Sequence, residues 1–207
     1  MKRIHKIVLT GGPCAGKTTA LACINDHFSM LGYKVLDVPE IPPMITGLGW
    51  DYMTDNKAFY YEGEKIILEL QIALEDKVMR LAETLTEPCI IVCDRAIMDI
   101  SAYIDRTIWL ELLNSCDITE EEVIKRYDGV VHLSTAAKGA EKFYTTATNA
   151  QRYEQANEEG LNIARMLDQK VYQAWTIHPT ISTIGSSEDF VSKMNLVLAE
   201  IKKIINK

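Results

Sequence analysis

The sequence predicts an α/β protein with three layers, α/β/α, around a central parallel sheet of about five strands. Three observations lead there. Short apolar or β-branched runs alternate with longer segments of helical period along the whole chain. One of those runs, "PCIIVCD", is apolar on both faces, as a strand covered on both sides must be. The first run stops in "TGGPCAGKTT", a glycine-rich turn leading from strand to helix. The 207 residues are read as one domain spanning 1–207, long enough for a sizeable core.

Each element has its own signal. "RIHKIVLT" reads as the first strand, and a helix follows from about Lys17 to Leu31, stopped by Gly32. "YKVLDVPE" is the second strand. The stretch after it carries Pro42, Pro43, Gly47 and Gly49 and reads as a loop without regular structure. A long helix is expected from about Asn56 to Leu85, with Phe59, Ile66, Ile67, Leu70, Leu74, Val78, Leu81 and Leu85 as its buried face. "PCIIVCD" is the third strand, followed by a helix around Ile108 to Leu113. "DITEEEVIKRY" opens another, with Thr119 as N-cap and Glu122 closing a capping box.

"DGVVHLST" is the fourth strand. Residues 135–150 are small, polar and irregular, and "QRYEQANEEGLNIARMLDQKVYQAW" returns to a helical period. "PTISTIG" is a short fifth strand. The last helix is expected to start near Ser187, with acids in its first turn, lysines near its end, and a core face of Phe190, Met194, Val197, Ile201 and Ile204.

Composition narrows the function. A net charge of -7 and a pI of about 5.2 lack the electrostatic footprint of a nucleic-acid binder. No apolar run reaches the roughly 18 residues that span a bilayer. The basic start "MKRIHKIVLT" is cut off by Gly11, Gly12 and Pro13 before it becomes a signal segment. Cys14, Cys23, Cys89, Cys93 and Cys116 are odd in number and lack a C-x-x-C pair, which fits reduced thiols and a cytoplasmic location. The oligomeric state is left open.

Gly11, Gly16, Lys17 and Thr18 satisfy G-x-x-x-x-G-K-[ST], the Walker A pattern, in the strand–turn–helix context that it requires. Gly11, Gly12, Pro13, Cys14, Ala15, Gly16, Lys17, Thr18 and Thr19 are therefore the candidate nucleotide-binding turn. Its backbone N–H groups and the positive end of the following helix suit phosphate oxygens. Lys17 would reach the β- and γ-phosphates, and the Thr18 hydroxyl would take one position on Mg²⁺.

Asp94, at the tip of the third strand, is the second candidate for the metal. Arg95 reads either as a planar clamp on substrate or phosphate, or as an ion-pair partner of Asp94 or Asp99. Glu40, after the second strand, reads as a general base for an attacking hydroxyl or as a loop glutamate. "NKAF" lacks the aspartate of the guanine-reading motif of signalling GTPases, whereas "DR" and an acid after strand two suit nucleoside and nucleotide kinases.

Residues of about 135–152 have lid character, with Lys138, Lys142 and Arg152. Arg152 is the candidate arginine over the transferring phosphate, or else a solvated charge or a partner of Glu154 or Glu158. Gly185 and Ser186 stand where a nucleobase would lie. His178 reads as a structural histidine. Trp50, Tyr52, Phe59 and Tyr60 either pack in the core or stack on an acceptor ring.

The stretches "TGGPCAGKTT", "VPE", "CDRAIMDISAYI", "GAEKFYT" and "HP" followed by "DFVSKM" resemble a NadR-like P-loop family grouped with AAA-type ATPases. Within it, the chain is most similar to the N-terminal P-loop domain of TRPL translocation defect proteins. The resemblance covers most of the chain in order. It implies a kinase-related nucleotide-binding domain with a parallel sheet and Mg²⁺, and lends weight to Gly12, Lys17, Glu40, Asp94, Arg95, Asp99 and Arg152. Those proteins are associated with GTP and acidic lipid and carry a second, triphosphate-tunnel-like domain. This sequence ends before such a domain and has "TIGSS" in place of the family's Ile-Asp-Asn run.

The expectation is thus a P-loop phosphotransferase of nucleoside/nucleotide-kinase type, using Mg²⁺ and ATP (or GTP) on a small acceptor. Lys17, Glu40, Asp94, Arg95 and Arg152 would be its catalytic set. The alternative is an NTP-switched module that orders its lid and Pro-rich segment for a protein or lipid partner. Neither reading involves nucleic acid or a transmembrane segment.

Overall fold

Alternation along the strands sorts the apolar side chains onto two faces. In the computed structural model, which describes residues 3–144, 157–187 and 189–207, β1 (Ile4–Gly11), β2 (Lys34–Val38), β3 (Cys89–Asp94), β4 (Gly129–Leu133) and β5 (Ile181–Ile184) form one sheet. All its pairings are parallel and its order is β2-β3-β1-β4-β5. Ile7, Leu9, Ile90, Val92, Val131 and Leu133 face one apolar cluster, which α1 (Lys17–Met30) and α8 (Phe190–Ile205) complete. Val8, Ile91, Cys93 and Val130 face the other. It is covered by α3 (Lys57–Glu83), α4 (Ile97–Ile100), α5 (Arg106–Ser115), α6 (Glu120–Ile124) and α7 (Glu158–Trp175). The predicted three-layer arrangement is the observed one.

Several elements differ from expectation. The Pro-rich stretch contains a short helix, α2 (Pro42–Gly47), because Pro42 and Pro43 occupy its first positions, where a missing N–H costs nothing. The face of α3 is rotated. Gly63, Glu64, Ile67, Leu68, Gln71, Glu75 and Ala82 are buried, while Phe59, Ile66, Leu70 and Leu81 are exposed.

The rotation follows from a polar group that finds every partner inside. Glu75 Oε2 lies 3.2 Å from Lys6 Nζ and 3.3 Å from Arg126 Nε, and Oε1 accepts from Gln71 Nε2 at 3.0 Å and the Tyr127 hydroxyl at 2.8 Å. Trp50 adds an anchor: its indole lies against Gly63 and donates to the Phe59 carbonyl at 3.1 Å.

The capping box of Thr119 and Glu122 forms as predicted. The last helix begins later than expected, after the N-cap Asp189, with no acid in its first turn, and carries Lys202 and Lys203 in its last. Among the described residues no helix is long and apolar enough to cross a membrane.

The register aligns the strand tips. Leu9 pairs with Asp94 and Gly11 with Leu133, so β1, β3 and β4 end on one edge, joined by the end of β2. The chain leaves β1 with one neighbour drawn from each half of the sheet. That is a topological switch point, where open α/β sheets form their ligand crevice.

Candidate active site

The turn after β1 takes a shape that its glycines permit. Gly11 has φ +145°, and a Cβ there would fall 2.0 Å from the Leu133 carbonyl oxygen. A Cβ on Gly12 would meet the Asp168 side chain at 2.7 Å. No larger residue fits either place without moving backbone or a buried acid. Pro13 and Ala15 are buried, Cys14 is half-buried with φ 54°, and Gly16 caps α1 with φ 87°. Thr18 and Thr19 are exposed at the first turn of α1, with Lys17 half-buried before them.

Lys17 is crowded by charge. Burial lowers its pKa, and Arg95 lowers it further, against the opposing pull of Glu40, Asp94 and Asp99. These groups therefore share one electrostatic neighbourhood at the strand tips. Asp94 is shifted the other way: burial raises its pKa, Glu40 and Asp99 add to the rise, and Lys17 and Arg95 oppose it. Its Oδ1 is buried without a hydrogen-bond partner among the described residues. A half-buried carboxylate with a spare oxygen suits a hard cation with oxygen ligands. Among the described residues no cluster of three His, Cys, Asp or Glu side chains forms a metal cage, so phosphate and water would supply the remaining ligands.

Arg95 is held tightly, but not by Asp94. Its Nε lies 2.7 Å from Glu40 Oε1, its Nη1 3.9 Å from Asp99 Oδ1, and its guanidinium 5.3 Å from the Tyr103 ring centre. The backbone is strained to achieve this, with φ 65° at Arg95 and its N–H donated to the Leu9 carbonyl at 3.0 Å. Asp99 is itself fixed by the Thr10 hydroxyl and, at 2.8 Å, by the Ala96 N–H. Of the two ion-pair partners expected for Arg95, only Asp99 lies within reach, at 3.9 Å; the close pair is with Glu40, which joins the second strand's acid to the third strand's tip.

Arg152, with Glu154, lies outside the described residues. Lys138 and Lys142 lie on the segment that leads there. That segment is pinned by Arg165, whose Nε donates to the Ala137 carbonyl at 2.6 Å, and by Ser186, whose hydroxyl donates to the Lys138 carbonyl. His178 is structural: its ring nitrogens bond the Thr180 backbone at 3.0 Å and the Tyr127 carbonyl at 3.1 Å. Trp50 stacks on Tyr60 with centroids 6.2 Å apart, as a packing group.

Sequence reasoning missed three buried groups around the turn. Asp168 Oδ1 accepts from Gly12 N–H at 2.9 Å and Thr135 N–H at 3.2 Å, with His132 Nε2 3.4 Å away. Lys193 Nζ donates to the Ala15 carbonyl at 3.0 Å and the Ser134 carbonyl at 3.1 Å. The Thr135 hydroxyl donates to the Pro13 carbonyl. Asp168 was findable, since it continues the four-residue spacing of Gly160 and Ala164 on the buried stripe of α7.

A family model described as an AAA domain matches residues 6–189. No curated protein sequence matches the chain. Among solved structures, the crystal structure of thymidylate kinase from Ehrlichia chaffeensis is similar, with a TM-score of 0.59 and 16% identity, covering 99% of this chain and 100% of that one. At that identity the likeness is one of fold: a kinase-like P-loop arrangement of a five-stranded parallel sheet and flanking helices.

Proposed function

The chain belongs to the AAA domain family, and from that premise we propose that it is a Mg²⁺-dependent phosphotransferase moving the γ-phosphoryl of ATP (or GTP) to a small hydroxyl-bearing acceptor of nucleoside type. The observation that carries the proposal is the 2.7 Å pair of Glu40 and Arg95, set at adjoining strand tips in the same field as Asp94 and Lys17. A carboxylate so placed can take a proton from an attacking hydroxyl, and the arginine beside it keeps it ionised and in place.

The geometry supports these roles. The turn from Gly11 to Thr19 cradles the polyphosphate, and Lys17 lies along its β- and γ-oxygens. Thr18 and Asp94 would hold Mg²⁺, which when bound neutralises charge on the phosphates. Glu40 accepts the acceptor's hydroxyl proton as its oxygen bonds to phosphorus. The bond from phosphorus to the bridging oxygen breaks, and the nucleoside diphosphate leaves. Arg95 keeps Glu40 aimed and donates to the acceptor oxygen. Arg152 would be the arginine over the migrating group.

Charge favours a hydroxyl acceptor over a phosphorylated one. Among the described groups of this neighbourhood, Lys17 and Arg95 face Glu40, Asp94 and Asp99. Arg95 is already paired, so a dianionic acceptor would meet uncompensated carboxylates. The motif resemblance to NadR-like and translocation-defect P-loop domains supports the same kinase-related reading over one domain. The five free cysteines support a cytoplasmic location.

The test is turnover of ATP and GTP with Mg²⁺, with and without a panel of nucleosides and nucleotides. Transfer to a nucleoside hydroxyl is expected. Slow hydrolysis indifferent to every acceptor would point instead to the nucleotide-switched module.

A further inference from the structure

A planar trans peptide carries its C=O and N–H on opposite sides, so whatever holds the carbonyl also aims the next residue's N–H. Two peptides of the phosphate turn are held in this way. The Ala15 carbonyl accepts from Lys193 Nζ at 3.0 Å, and the Pro13 carbonyl accepts from the Thr135 hydroxyl. Both donors are interior: Lys193 is 4% exposed and Thr135 is fully buried. The N–H groups of Gly16 and Cys14 therefore point away from Lys193 and Thr135 respectively.

The conformations agree. Cys14 and Gly16 both have positive φ, alternating with Ala15 between them, as in a backbone nest that gathers N–H groups on one concave side. These two peptides are also distinct from one that faces inward, since Gly12 N–H is given to Asp168 at 2.9 Å.

We propose that Lys193 and Thr135 are positioning residues that preform the anion nest by fixing the Ala15–Gly16 and Pro13–Cys14 peptide planes. The inference rests on the phosphate-binding reading given above, and goes beyond it in assigning the aim of particular amides to side chains outside the motif. Lys193 ties the turn to the end of β4 through its second bond, to the Ser134 carbonyl at 3.1 Å, and Asp168 ties the next residue's N–H, that of Thr135, at 3.2 Å. A buried ammonium is costly unless each proton is used, and this one is placed where its bonds orient backbone rather than pair with a carboxylate.

The experiment titrates magnesium tripolyphosphate, which has no base or sugar, into wild type, Thr135→Val, Lys193→Met and Lys193→Arg by calorimetry. The Gly16 and Cys14 amide resonances are followed in parallel. Both Thr135→Val and Lys193→Met are expected to weaken binding about tenfold, equivalent to ~1.4 kcal/mol, with Lys193→Arg recovering most of the loss. The Gly16 amide should move downfield with ligand in wild type and less in Lys193→Met. Variants that melt lower yet bind as wild type would show a merely structural role and overturn the inference. A wild type that binds no tripolyphosphate would instead overturn the phosphate reading beneath it.

Discussion

Replacing Glu40 by Gln keeps the side chain's shape and removes its charge and its ability to take a proton. Glu40 is 31% exposed and Arg95 13%, so their 2.7 Å pair is partly screened by solvent. The amide keeps the contact's shape but loses its charge, and the stability loss should be only about 1 kcal/mol, or ~2–4 °C in melting temperature. Nucleotide affinity should stay within about threefold or tighten, because one anion near the triphosphate is gone. Transfer is different. Loss of a general base costs roughly 10²- to 10⁴-fold, or ~2.7–5.4 kcal/mol in activation free energy. Single-turnover transfer to the acceptor, with calorimetric binding of MgATP on the same sample, separates these effects. Transfer within about threefold of wild type, or a loss traceable wholly to weaker nucleotide binding, would refute the base assignment.

Further outcomes are expected at three places. Asp94→Asn should raise the Mg²⁺ concentration needed for nucleotide binding about tenfold or more. The same change should raise the ligand-free melting temperature, since burial makes the charged carboxylate unfavourable there. Gly11→Ala places a Cβ 2.0 Å from the Leu133 carbonyl at φ +145° and should cost about 3 kcal/mol or more, whereas Gly47→Ala, with nothing within 4 Å, should gain up to ~1 kcal/mol by urea unfolding. Glu64, buried on α3, has its pKa pushed from 4.5 up to about 7 by burial, against a Tyr60 hydrogen bond that pulls it down. The folded state then holds a proton that the unfolded state releases between those values, so this group's contribution is fully present below pH 4.5 and lost as pH rises through 7. Glu64→Gln should accordingly gain ~1–3 kcal/mol relative to wild type at pH 8 compared with pH 4.5, measured by denaturant unfolding.

What the sequence reveals depends on whether a residue's role is local. The glycine-rich turn, Asp94 and Glu40 stand at the ends of apolar strands, where position along the chain also dictates position in space. The sheet was legible for the same reason: its strands are short apolar runs bounded by breakers. The buried face of α3 was not, because Glu64, Gln71 and Glu75 occupy core positions and hydrophobic period alone assigns those places to Phe59, Ile66 and Leu70. The burial of Glu75 depends on Lys6, Arg126 and Tyr127, which come from distant elements. Lys193 was hidden similarly: in "FVSKMN" it reads as a solvated helix charge, and only the fold brings it under Ala15. The helix over Pro42 and Pro43 shows the opposite error, since two breakers in a row also make a good helix start.

The direct test of the whole account is a thermal-shift series with ATP, GTP and Mg²⁺ on wild type and Lys17→Ala. A ligand bound by the native state alone adds ~2.7 kcal/mol at a hundredfold excess over Kd, which for a chain of this size raises the melting temperature by about 5–11 °C. The account predicts that rise for wild type with a triphosphate and Mg²⁺ together, and its collapse in Lys17→Ala. A wild type whose melting temperature ignores both triphosphates at millimolar concentration would contradict it.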